Sequence, residues 1–120
     1  MLLRKMVILM NTSAHPHLSV LLEHAVSHRP HHIAVEDEHG RSLTYKQLMQ
    51  CADRVAARLG RWGVGRGDRI GVWIPKSLES VAAIHGILRA GASYVPIDPT
   101  GPALRGASIL AGSGVKSIIV

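Results

Sequence analysis

The chain has 120 residues, 47% of them hydrophobic and 18% charged, which suits one folded domain and is too apolar for a disordered one. Its single cysteine excludes an internal disulfide framework and a four-cysteine zinc site, and no apolar run approaches the roughly 20 residues of a membrane span. The net charge of +6 is dispersed rather than clustered, and with no Phe, two Tyr and two Trp there is no stacking surface for nucleic acid.

Residues 1–14 read as a disordered or extended segment ahead of the folded part, which is expected over 15–120. Arg4 and Lys5 before Met6–Met10 imitate a signal peptide, but the apolar run is too short and no small-residue cleavage site follows. Translation starts at Met1 or at Met10, and a reducing, cytoplasmic setting is expected.

In 18–28 the spacing of Leu18, Leu21, Leu22, Ala25 and Val26 predicts a helix, ended by Arg29-Pro30. His32–Glu36 reads as a strand, Glu38–Arg41 as a turn and Ser42–Thr44 as a return strand, together a small hairpin. The clearest helix is 45–62. Thr44 caps it, and Gln47 three residues later completes a capping box. Leu48, Cys51, Ala52, Val55, Leu59 and Trp62 form one apolar stripe, with Arg54, Arg58 and Arg61 on the other side and Gly63 at the end.

Val64–Asp68 is a tight loop, and Arg69–Ile74 an almost wholly apolar strand of the kind a parallel sheet covers on both faces. Pro75 stops it. Ser77 caps a helix over 78–90 with Val81, Ile84, His85 and Leu88 on one side, closed by Gly91. Ser93–Asp98 is a third extended segment, and Pro96 marks an edge or a bulge. Pro102 then sits at N1 of a helix running to about Ala111. Gly112-Ser113-Gly114 breaks that helix, and Val115–Val120 is a last apolar strand. The fold class is therefore α/β, with alternating helices and mostly parallel strands. The final strand needs a neighbour, which marks the chain as a piece of something longer.

The chemical motifs have structural explanations. Gly63 and Gly65 resemble a dinucleotide fingerprint, but Asp68 replaces the third glycine and the loop runs from helix to strand, the reverse of what is needed. Gly112–Ser117 fails as a phosphate loop, because the lysine does not follow glycine and no helix follows. Arg66-Gly67-Asp68 spells an adhesion tripeptide by chance. His24 and His28 stand at i, i+4, a metal-ligating spacing that lacks a third ligand. His85 reads as a hydrogen-bonded residue at the core's edge, and Cys51 as a buried small hydrophobe without a cationic activator. Asp68 and Asp98 are too isolated in sequence to be a carboxylate pair. Asp98 and Thr100 follow a strand and precede a helix, where α/β sheets bind ligands, but a turn is their expected role.

Three segments in fixed order carry a resemblance. Leu43-Thr44-Tyr45-Lys46-Gln47-Leu48 resembles the first core motif, L-T-Y-x-E-L, of AMP-forming adenylating enzymes, which include acyl-CoA synthetases and nonribosomal peptide synthetase adenylation domains. Gly63–Val72 resembles their G-V-x-x-G-D-x-V-x-V stretch, and Ile87–Pro99 their second core motif, L-K-A-G-x-A-Y-V-P-I-D. The likeness covers about residues 18–120, and Gln47 replaces the usual Glu. It implies the incomplete N-terminal part of the large adenylating-enzyme domain. The complete enzyme would use ATP and magnesium to activate a carboxylic or amino acid as an acyl adenylate. It would then pass the acyl group to a thiol of coenzyme A or of a carrier protein.

The family's Ser/Thr/Gly-rich ATP loop, its later nucleotide and magnesium contacts and its catalytic lysine have no counterpart here. The resemblance therefore implies no catalytic, cofactor-binding or metal-binding residue in this chain, and no cofactor held by it alone. Its implied partner is the missing C-terminal part of the enzyme, in a split enzyme or lost from a truncated one. No nucleic-acid or membrane partner is expected. The alternative is a small non-catalytic α/β module that binds a partner or a nucleotide.

Overall fold

A computed structural model describes residues 18–120, and the expectations for residues 1–14, with His15 and His17, lie outside these residues. The order is helix α1 (Leu18–His28), strands β1 (Ile33–Glu36) and β2 (Ser42–Thr44), helix α2 (Tyr45–Arg61), strand β3 (Arg69–Val72), helix α3 (Leu78–Arg89), strand β4 (Ser93–Pro96), helix α4 (Ala103–Ser113) and strand β5 (Ser117–Ile119). Strands β1 and β2 form the expected antiparallel hairpin, with an irregularity between Ile33 and Val35. The other three strands form a parallel sheet in the order β4-β3-β5.

That order dictates the layers. The crossover from β3 to β4 runs one way along the sheet, and the crossover from β4 to β5 runs back. Right-handed connections then put α3 and α4 on opposite faces. The strand period of two agrees. Ile70 and Val72 share a core with Ile84 and Ile87 of α3. Gly71 faces α4, where a β-carbon would lie 2.6 Å from Leu110 Cδ2, and one on Gly106 of α4 would lie 2.7 Å from Trp73. β3 is the central strand, as its apolar run requires.

Helix α3 joins two cores. Leu78, Val81 and Ala82 pack with Leu22 of α1, Ala34 and Val35 of the hairpin, and Tyr45 and Leu48 of α2. Ile84 and Ile87 pack with Leu59, Val64 and the sheet. Both helix starts are capped. Gln47 N donates to Thr44 Oγ1 at 3.1 Å while Thr44 N donates to Gln47 Oε1 at 2.9 Å, so Gln47 serves in place of Glu. Ser77 and Ser80 form a second reciprocal box at α3. Thr44→Ala should cost about 1 kcal/mol of stability, read as a lower urea midpoint at unchanged slope.

Several boundaries differ from expectation. The stripe of α2 ends before Trp62, which is 62% exposed, because Trp62 is already the C-cap and has left the helical spiral. β3 ends at Val72, two residues early. Pro102 is the N-cap of α4 rather than its first residue, and α4 continues through Gly112 to Ser113 before Gly114 turns left-handed. Two glycines, Gly106 and Gly112, therefore lie inside α4, each at a cost of about 1 kcal/mol relative to alanine. Gly91, at φ +85°, makes the reversal from α3 into β4 that a residue with a β-carbon resists.

Candidate functional site

Ligands of open parallel sheets collect beyond the carboxyl ends of strands whose following helices lie on opposite faces. β3 and β4 are such a pair. Beyond the end of β4 lies an open cavity of about 300 Å³, lined by Pro96, Ile97, Asp98, Arg105, Gly106 and Ile109 among others. The Asp98 carboxylate turns inward on its own loop: Oδ1 accepts from Thr100 Oγ1 at 2.6 Å and from Thr100 N at 2.9 Å. The Thr100 hydroxyl, then its amide, hold the Asp98 carboxyl below its usual range, helped by Arg105 and Lys76. Asp98 and Thr100 thus form the expected turn. The cavity presents an engaged carboxylate, a guanidinium and apolar walls, which can bind but contain no nucleophile.

The other singled-out residues lie elsewhere. Asp68 precedes β3 and sits at the opposite end of the sheet from Asp98, so the two form no pair. Its Oδ2 accepts from Gly65 N at 2.8 Å and from Lys116 Nζ at 3.4 Å. The Gly65 amide first, then the Lys116 cation, hold its carboxyl below the usual range. The Gly63–Asp68 loop is therefore a braced helix-to-strand turn, and Lys116 also donates to the Gly63 carbonyl at 2.7 Å. The tripeptide Arg66-Gly67-Asp68 belongs to that turn.

His24 and His28 stack with ring centroids 4.1 Å apart, and His28 Nδ1–H donates to the His24 carbonyl at 2.9 Å. Among the described residues no three His, Cys, Asp or Glu side chains converge as metal ligands. Gly112-Ser113-Gly114 ends α4, so its neighbourhood offers carbonyls, one of which (Ser113) accepts from Arg69 at 2.6 Å. A phosphate needs amides instead.

Two expectations are corrected. Cys51 is only half-buried, and a cation does reach it, with Arg54 Nη2 at 3.4 Å from its sulfur. One helical turn separates the two, a contact that the i, i+3 spacing permits. His85 is not hydrogen-bonded at a core edge. It is 1% exposed, and among the described residues neither ring nitrogen has a hydrogen-bond partner. Burial, and secondarily the Arg89 charge, push its pKa down to about 4. Position on an apolar helix shows that a histidine is buried, but only the neighbours decide whether it is paired. Sequence reasoning also passed over Arg89. It bonds Asp53 of α2 at 2.5 Å and Glu23 of α1 at 3.0 Å, tying three helices together.

The family described as AMP-binding enzyme matches residues 22–120. The chain is 44% identical over 106 residues to malpibaldin synthetase of Mortierella alpina, covering 86% of this chain and 2% of that protein. It is similar to VinN, solved with 3-methylaspartate, at 30% identity and a TM-score of 0.79, covering 85% of this chain and 28% of VinN. It is also similar to the N-terminal domain of FACL13 from Mycobacterium tuberculosis, at 31% identity and a TM-score of 0.76, covering 83% and 26% of the two chains. The chain spans 2% of the length of malpibaldin synthetase and 14% of the length of syringomycin synthase SyrB1 of Pseudomonas syringae, so it covers a small part of the curated relatives it matches. Among the described residues no helix is long and apolar enough to cross a membrane.

Proposed function

We propose, from the premise that this chain belongs to the AMP-binding enzyme family, that it is the N-terminal scaffold of an ATP-dependent ligase. The complete enzyme activates a carboxylic or amino acid as an acyl adenylate, releasing pyrophosphate, and transfers the acyl group to a thiol of coenzyme A or of a carrier protein. ATP and magnesium are engaged by the remainder of that enzyme, which is the partner of this part, and the setting is cytoplasmic. The observation that carries the reading is the structural use of the family-like motifs. Thr44 and Gln47 start α2, Gly63–Asp68 turns into β3, and Gly91 turns α3 into β4. All three are scaffold tasks, and adenylyl transfer rests on positioning and charge stabilisation that these residues do not supply.

The purified 120-residue chain should therefore give no ATP–pyrophosphate exchange with any of a panel of carboxylic and amino acids. Exchange above background would overturn the scaffold reading. The positive arm is co-expression with the sequence encoded directly downstream. Co-purification and restored exchange support the proposal. A cooperatively melting monomer with no such downstream sequence would favour the small binding module.

A further inference from the structure

We propose that His85 makes the docking of α1 acid-sensitive: proton uptake at the buried imidazole releases α1 while the three-stranded sheet stays folded. The inference rests on where His85 lies. It is one turn from Val81 and two from Leu78, which pack against Leu22 of α1, and one turn before Arg89, which holds Glu23 of α1. The imidazole is therefore on the stripe of α3 that α1 covers. Both of its nitrogens lack partners among the described residues, so a second proton there meets neither an acceptor nor water.

The Arg89 charge adds to this cost. On α3 itself stands the Arg89 cation. From α1 comes Glu23 and from α2 comes Asp53, but Arg89 binds both carboxylates. On the sheet side the titratable group of the adjoining core is Tyr94, whose half-burial raises its pKa and keeps it neutral. Of these groups Arg89 is the one that, after burial itself, disfavours a proton on His85. Water reaches it most readily by lifting α1. Among the described residues of that helix only Leu22 is fully buried, and Val20 and Leu21 are exposed. Weakly anchored elements open below the cost of global unfolding.

Hydrogen exchange of the 120-residue chain at pH 7 and pH 5, corrected for the intrinsic rate, tests this. With pKa values of about 4 closed and 6.5 open, the opened population of α1 should rise about 20-fold at pH 5. The amides of β3, β4 and β5 should stay protected. In His85→Leu the rise should vanish. It should persist in His24→Gln/His28→Gln, which removes the stacked imidazoles on α1 itself. An equal rise in His85→Leu, or a rise spread evenly over the sheet, would overturn the proposal. Should His85→Leu not fold, the imidazole titration of the unsubstituted chain by NMR decides. A value well below the free-histidine range supports it, and a value near 6.5 refutes it.

Discussion

Gly86→Ala should destabilise the chain by about 3 kcal/mol, although alanine is the better helix former by about 1 kcal/mol. Gly86 lies in the middle of α3, where that helix crosses α2. A β-carbon there would fall 2.4 Å from Val55 Cβ, 2.5 Å from Val55 Cγ1 and 2.9 Å from the Ala52 carbonyl oxygen. No rotamer relieves the first or the third, because Cβ and backbone atoms do not move without the helix. The helices must part, and both cores of α3 then loosen. Val55→Ala removes Cγ1 and keeps Cβ, so in the double variant it should restore only a minor part of the loss. Urea unfolding of the three variants reads this directly. A Gly86→Ala chain as stable as the parent would mean that α2 and α3 do not approach this closely.

Lowering the pH from 7 to 4 should remove on the order of 3 kcal/mol through His85 alone. In the unfolded chain this imidazole takes up a proton near pH 6.5, and in the folded chain only near pH 4. Between those values the unfolded state binds more protons, so stability falls as the pH falls. Well above 6.5 the group contributes no slope. Asp37, Asp68, Glu79 and Asp98 also have lowered folded pKa values. Their stabilisation is present above the usual carboxylate range and is lost only below it, so it forms a separate acid limb. Thermal or urea stability measured from pH 7.5 to 4 should slope in the parent and lie nearly flat in His85→Leu. Parallel curves would mean that His85 is solvated or paired when folded.

Much of the architecture was legible before any coordinates. Thr44 with Gln47, and Ser77, are local signals, because a cap is satisfied by residues within one turn. Pro30, Pro75 and Gly91 bound their elements for equally local reasons. The apolar run from Ile70 marked a strand with both faces covered, and β3 is the central strand of a parallel sheet. The turn roles of Asp98 and Thr100 were also local. The environment of His85 was not. Residues Leu78–Arg89 are apolar nearly all round, so periodicity carries no information about which neighbour each face meets. Nor does it show that Gly86 is the point where α2 approaches, which only the packing against Val55 reveals.

The element order, most caps and turns, and the family resemblance follow from residues adjacent in the chain or from motifs in fixed order. The tertiary structure decided the opposite faces taken by α3 and α4, the contact of Gly86 with Val55, the tie from Arg89 to Glu23 and Asp53, and the unpaired state of His85. These join residues between 31 and 66 positions apart. Such contacts form only when separate elements pack, and a buried polar group is satisfied or stranded by whatever that packing brings beside it.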